Sequence, residues 1–98
     1  MLVDRQGQAM RLGDGSWVHL DEPVYFRMCV VPAATLTLSV DGPRGRELLT
    51  EQAAPSGCVD ARLEGALLAY TFDRPGPHRF VLLDENTREL DALTLEVR

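Results

Sequence analysis

The sequence predicts an all-β domain folded as a two-sheet antiparallel sandwich of seven to eight short strands. Three observations lead to this prediction. Segments in which apolar and polar residues alternate recur about every 8–12 residues. Clusters of Gly, Pro, Asp and Asn separate them, and no stretch of useful length has helical periodicity. The short connections imply antiparallel pairing, and 98 residues is close to the size of one two-layer sandwich.

The last third of the chain, residues 67–97, shows this pattern most clearly. Its three alternating segments are separated by a proline–glycine turn at Asp73–Pro77 and a polar turn at Asp84–Arg88, which predicts three consecutive antiparallel strands. In the middle segment, His78, Phe80 and Leu82 share one face. We interpret Asp84–Arg88 as a hairpin turn with Asx side-chain bonds, because it lacks the alternating acidic ligands of a calcium loop.

Residues 24–31 form the strongest predicted strand of the first half. One face is wholly apolar (Val24, Phe26, Met28, Val30), and the other carries Tyr25, Arg27, Cys29 and Val31. An outward row with Tyr, Cys and Val is less polar than a solvated face requires. This row is therefore our candidate interface for a protein partner or a second copy. The alternative is that Met1–Leu12 of the same chain covers it.

Four further segments are predicted as strands. Thr35–Asp41 should point Leu36, Leu38 and Val40 inward, and Arg46–Ala54 reads as a strand with a frayed end. Cys58–Glu64 alternates with Val59, Ala61 and Leu63 on one side, and Leu67–Phe72 places Leu68, Tyr70 and Phe72 on one face. The first twenty residues predict a hairpin or a kinked edge strand.

Charge and composition exclude several classes of function. Fifteen acidic residues against ten basic ones give a net charge of −5, so a nucleic acid is a poor partner. No apolar run approaches the ~20 residues of a membrane span, and charged residues interrupt any signal-peptide core near the start. We therefore expect no membrane insertion and a cytoplasmic product, or a virion component assembled in the cytoplasm.

The two cysteines, Cys29 and Cys58, match no zinc-site spacing. If the Leu67–Phe72 strand lay between their strands, they would be two strand spacings apart, roughly 9.5 Å, which is too far for a disulfide. They could bond only if their strands were direct neighbours. We expect free thiols.

The chain resembles bacterial immunoglobulin-like and fibronectin-type-III-like domains at two places. Tyr70-Thr71-Phe72, the corner and strand Pro75–Leu82, Asp84 and an alternating last strand resemble the end of such domains, and Asp21–Phe26 resembles the entry to their second strand. The resemblance implies an immunoglobulin-like sandwich that binds or assembles rather than catalyses. His78 stands where such domains often carry a corner tyrosine, so we expect it to hydrogen-bond backbone, in preference to acting as a pH switch.

No catalytic, cofactor-binding or metal-binding constellation is recognisable: there is no nucleophile elbow and no Gly-rich phosphate loop. The expected function is a non-catalytic interaction or structural module, part of a bacterial or phage assembly. The absence of Lys and Ile is consistent with a GC-rich genome. The alternative is a small-ligand or carbohydrate-binding module that uses the loops Gly13–Gly15, Gly42–Gly45 and Pro75–Pro77, with Trp17 as aromatic platform.

Overall fold

A computed structural model describes residues 2–5 and 11–98. The described residues form eleven strands and no helix. The strands are β1 (Leu2–Arg5), β2 (Arg11–Leu12), β3 (Trp17–Val18), β4 (Val24–Val30), β5 (Ala34–Gly42), β6 (Gly45–Ala54), β7 (Gly57–Asp60), β8 (Arg62–Leu63), β9 (Ala66–Leu67), β10 (Gly76–Leu83) and β11 (Glu89–Val97). Within this part of the chain, no helix has the length and apolar character to cross a bilayer.

The strands build two larger sheets. The first sheet has the order β2-β1-β4-β7 and the second has the order β3-β11-β10-β5-β6, while β8 and β9 form a separate hairpin. Among the described strand pairs only β3–β11 is parallel. The predicted all-β sandwich is confirmed. The described strands outnumber the predicted seven to eight because short two-residue strands count separately.

The core lies between the two sheets and is filled by the inward rows of β4, β5, β10 and β11. Phe26 of the first sheet packs on Phe80 of the second, with ring centroids 4.8 Å apart. The predicted inward residues of β5 and β10 are all buried (Leu36, Leu38, Val40, His78, Phe80, Leu82). Alternation identified them correctly because one face of each strand excludes water.

The segment after β7 differs from its prediction. Residues 67–72 do not form a regular strand: Ala66–Leu67 belongs to the small hairpin, and Tyr70 makes one isolated bridge to Val24. The shared inward face is nevertheless confirmed, since Leu68 and Phe72 are buried. The predicted strand Cys58–Glu64 is shorter than expected: β7 ends at Asp60, and the chain reverses at Glu64 (φ 54°) and Gly65 (φ 83°), which leaves Leu63 47% exposed.

The prediction of free thiols is wrong: Cys29 and Cys58 form a disulfide. Strand β7 pairs directly with β4, and the two cysteines are register partners with their Cα atoms 4.0 Å apart. The cysteines are not two strand spacings apart because residues 67–72 do not separate the two strands. Instead, β7 and Tyr70 share one edge of β4, with Tyr70 at its start and β7 at its end.

Candidate functional sites

The first sheet turns one side away from the core, and we call this side the outer face. Its centre is an ion pair in which Arg27 Nε lies 3.3 Å from Asp60 Oδ1. The disulfide lies next along the same two strands, with Cys29 half-buried and Cys58 exposed. All four candidate interface residues, Tyr25, Arg27, Cys29 and Val31, belong to this face or continue its row.

The two ends of this row differ in shape. At one end Tyr25, half-buried, lines a groove of about 340 Å³ together with Asp4 and with Leu67, which is 50% exposed. At the other end Val31, just beyond β4, is 81% exposed. The outer face therefore offers a groove whose wall includes the Arg27–Asp60 ion pair, and a protruding apolar residue at the far end, beyond the disulfide.

The N-terminal segment does not cover the outer face where it is described. Strand β1 pairs edge to edge with β4, in the register Asp4–Tyr25 and Val3–Phe26, so it extends the sheet sideways. The Cα partners of adjacent strands lie in one layer, and a covering segment would have to lie on top of that layer. The remainder of the predicted covering segment, residues 1 and 6–10, lies outside the described residues.

Trp17, the candidate ligand platform, is 40% exposed but is already in contact with other side chains. The guanidinium carbon of Arg98 lies 4.9 Å from the ring centroid, and the His19 ring meets it in a T-shaped contact at 4.8 Å. A cation over an indole face competes directly with a stacked ligand. The geometry thus makes Trp17 a weaker platform than its sequence position predicted.

A second concave site, which we call the loop cleft, lies between the β5–β6 turn and the segment before β10. Its volume is about 90 Å³, and its wall includes Gly42, Arg44, Tyr70, Arg74 and His78. Two of the three predicted ligand-binding loops meet beside it, since Pro43 lies 3.9 Å from where a Cβ on Gly76 would be. The third, Gly13–Gly15, instead bonds to β11 through the amide of Gly15 and the carbonyl of Thr94.

His78 forms the floor of the loop cleft and is only 3% exposed. Its Nδ1 lies 3.1 Å from the carbonyl oxygen of Gly76, which confirms the predicted hydrogen bond to backbone. The ring also packs against Phe72 in a T-shaped contact at 4.9 Å. The opposite edge of the ring faces Gly42, where a Cβ would come within 3.0 Å of His78 Cδ2.

The charged groups around the loop cleft are mostly paired. Asp41 accepts two hydrogen bonds from Arg46, at 2.7 and 2.9 Å, and these bonds lower the pKa of Asp41. Arg44 lies 3.5 Å from Asp73. Burial, followed by the charges of Glu47 and Asp73, raises the pKa of the Tyr70 hydroxyl, which therefore stays protonated at neutral pH.

The Asp84–Arg88 turn has the predicted Asx geometry. Asp84 Oδ1 accepts hydrogen bonds from the amides of Asn86 and Arg88, both at 2.9 Å. Its carboxylate is thus used in closing the hairpin. Over the described part of the chain, no three His, Cys, Asp or Glu side chains gather as a metal ion would require.

Tyr70 and Arg74 were not assigned to a site from the sequence, whereas Arg44 lies within the predicted ligand loop Gly42–Gly45. The alternation pattern placed Tyr70 in the core row, and it is indeed partly buried against Phe72 and Phe80. The two arginines lie in turns 30 residues apart in sequence, so only the fold brings them to one cleft. The sequence signal that could have pointed to this cleft is the pair of similar turns, Gly-Pro-Arg-Gly at 42–45 and Arg-Pro-Gly-Pro at 74–77.

No protein-family model and no characterised protein matches this sequence, so its function is argued from the geometry of the outer face and the loop cleft.

Proposed function

We propose that this protein is a non-catalytic β-sandwich module that binds a protein partner through the outer face of its first sheet. The observation that carries the proposal is the row along β4, where the 81% exposed Val31 stands at one end and a groove formed by Tyr25, Leu67 and the Arg27–Asp60 pair lies at the other. Apolar contacts beside paired charges are the composition of a transient protein interface. The cysteines of this face are bonded to each other, so neither offers a thiolate nucleophile.

The strand order supports the immunoglobulin-like resemblance that underlies this proposal. In the second sheet, the order β11-β10-β5-β6 joins the last two strands of the chain to two consecutive strands of its first half. Immunoglobulin variable-type domains join their last two strands to the C and C′ strands in the same way. Such modules act as recognition or spacer units, which fits a role in a bacterial or phage assembly.

The disulfide bears on where such a module works. Cytosolic thiol systems keep cysteine pairs reduced, whereas secreted, periplasmic and surface proteins keep them bonded. The exposed Cys29–Cys58 bond therefore favours a module that functions in an oxidising environment, such as a cell surface or a virion. If the protein is made in the cytoplasm, its cysteines would stay reduced there, and the disulfide would form only once the assembled particle has left the cytoplasm.

Carbohydrate or small-ligand binding is the second candidate function. The specific observation in its favour is the loop cleft, with the buried imidazole of His78 in its wall. Trp17 supports it less, because Arg98 already lies over its ring.

The interface is tested with variants that change the outer face but leave the core intact. Tyr25→Ser with Arg27→Glu, and separately Val31→Ser, should reduce the bound fraction of a partner purified from the host, or shift the protein's own mass in sedimentation. Leu90→Ser is the matched control, because Leu90 is an exposed apolar residue (41%) on β11 of the second sheet.

Circular dichroism of each variant establishes that the fold is retained. If both outer-face variants keep the sedimentation profile and the partner binding of the parent protein, the outer face is not an interface. An equal loss in Leu90→Ser would likewise contradict the proposal, because it would show that any exposed apolar residue matters.

A further inference from the structure

The loop cleft contains a buried polar atom that no described residue satisfies. His78 is 3% exposed and its Nδ1 faces the Gly76 carbonyl, which can only accept a hydrogen bond. Nδ1 therefore carries the proton in the neutral ring, and Nε2 presents a lone pair. No described residue donates a hydrogen bond to that lone pair. Buried acceptors without a partner are unusual in folded proteins.

The Nε2 edge of His78 faces Gly42 at the wall of the cleft. A Cβ on Gly42 would lie 3.0 Å from His78 Cδ2 and 3.3 Å from Nε2, whereas the Nδ1 side is occupied by Gly76. Gly42 and His78 both line the cleft. The absence of a side chain at Gly42 therefore leaves the Nε2 edge accessible from the cleft and not covered by a methyl group.

A second unsatisfied group lines the same cleft. The Tyr70 hydroxyl has no hydrogen-bond partner among the described residues. Its raised pKa, caused first by burial, keeps it protonated, so it can donate one hydrogen bond and accept others. Together, the His78 Nε2 lone pair and the Tyr70 hydroxyl favour a ligand that can both donate and accept hydrogen bonds.

The charges at the cleft mouth disfavour a strongly charged ligand. Asp41 neutralises Arg46 and Asp73 pairs with Arg44. Among the described lining groups this leaves Arg74 and Glu47, one of each sign. A phosphate or carboxylate would be attracted by Arg74 but repelled by Glu47 and Asp73. A cation would be attracted by the two carboxylates and repelled by Arg74.

We propose that the loop cleft binds a hydroxyl-bearing group of a polyol or sugar. One ligand hydroxyl donates to His78 Nε2, and a neighbouring hydroxyl pairs with the Tyr70 hydroxyl. The volume of about 90 Å³ equals that of roughly three water molecules at about 30 Å³ each. It therefore admits a hydroxymethyl or vicinal diol group, with the rest of the sugar outside. This inference rests on the second candidate function and specifies its ligand class, and its site is separate from the outer face.

The proposal is tested by NMR titration of the oxidised protein with methyl α-D-glucoside and with glycerol. The expected result is a saturable shift of the His78 Nε2 resonance and of the Gly42 amide with at least one of them. Tyr70→Phe should weaken binding about three- to tenfold, the loss of one hydrogen bond. Tyr25→Phe is the matched control, because the chain's other tyrosine lies on the outer face, and it should leave the affinity unchanged.

Three results would overturn this inference. The first is no saturable shift with either polyol up to about 100 mM, which would mean that the cleft holds only water. The second is saturation by inorganic phosphate but not by the polyols, and the third is equal weakening by Tyr70→Phe and Tyr25→Phe. The Tyr25→Ser/Arg27→Glu variant should retain polyol binding, so failure at the outer face and failure at the cleft are distinguishable.

Discussion

The outer face and the loop cleft differ in how exposed their polar groups are and in whether those groups have partners. On the outer face, charged and sulfur groups are exposed and satisfied: Arg27 pairs with Asp60, and Cys29 bonds Cys58. In the loop cleft, a histidine is buried and only half satisfied. A surface whose polar groups are paired, with a groove at one end and the exposed Val31 at the other, suits a large partner. An unsatisfied pocket suits a small ligand that supplies the missing hydrogen bonds.

Removing the disulfide, which lies on the outer face, should cause the largest loss of stability. The bond closes a 29-residue separation, so replacing both cysteines by serine should lower the free energy of unfolding by about 2–4 kcal/mol. Urea denaturation measures this value, with and without a thiol reductant. The reductant should destabilise the parent protein and leave the double variant unchanged. A loss below about 0.5 kcal/mol would contradict the pairing.

Filling the space beside His78 should have the second largest effect. The Cβ of Gly42→Ala would lie 3.0 Å from His78 Cδ2, and forcing the buried ring aside should cost about 1–3 kcal/mol. Gly13→Ala is the matched control, because its Cβ would meet only Ser16 Oγ at 3.9 Å. That variant should stay within about 0.5 kcal/mol of the parent. Equal stability of the two variants would show that the ring does not rest on Gly42.

The smallest effect should come from the ion pair beside the loop cleft. The hydrogen bonds from Arg46 lower the pKa of Asp41 below its ordinary value of 3.8. A lowered folded-state pKa contributes stability above the unfolded value, and this contribution is lost as the pH falls through the folded value. Asp41→Asn should therefore lower stability slightly at pH 7 and converge with the parent below pH 3.8. The pair is exposed, which keeps the effect small.

Thermal unfolding of parent and variant across this pH range measures the difference. Asp84→Asn and Asp91→Asn are unsuitable controls because both carboxylates accept hydrogen bonds from backbone amides; Glu96→Gln on the exposed side of β11 is preferable. A difference for Asp41→Asn that persists unchanged at low pH would show that the carboxylate charge is not its cause.

Local features of the fold were predictable from sequence, and features set by strand neighbours were not. The inward row of β5 and the Asx turn at Asp84 follow from alternation and turn chemistry within a few residues. The disulfide depended on which segment occupies the edge of β4. Nothing local indicates that β7 takes most of that edge and leaves only its start to Tyr70.

The candidate sites also differ in whether one segment or several segments form them. The β4 row was identified because one strand alone creates it. The loop cleft required the β5–β6 turn and the segment before β10 to meet, although both turns had been singled out as ligand loops. The contact of Trp17 with Arg98 could not be predicted, because the two residues are 81 positions apart in the sequence.

The parallel pairing of β3 with β11 has a mechanical consequence. The main-chain hydrogen bonds that join the two segments include those from the amides of Gly15, Glu96, Arg98 and Leu20 to the carbonyls of Thr94, Ser16, Val18 and Arg98, in that order. Because the strands run in the same direction, a stretching force applied between Gly13 and Arg98 pulls along both strands and loads these bonds together. The same force across an antiparallel hairpin would open its bonds one at a time. We expect a higher rupture force for Gly13–Arg98 anchoring than for anchoring across the β10–β11 hairpin, which single-molecule pulling can measure.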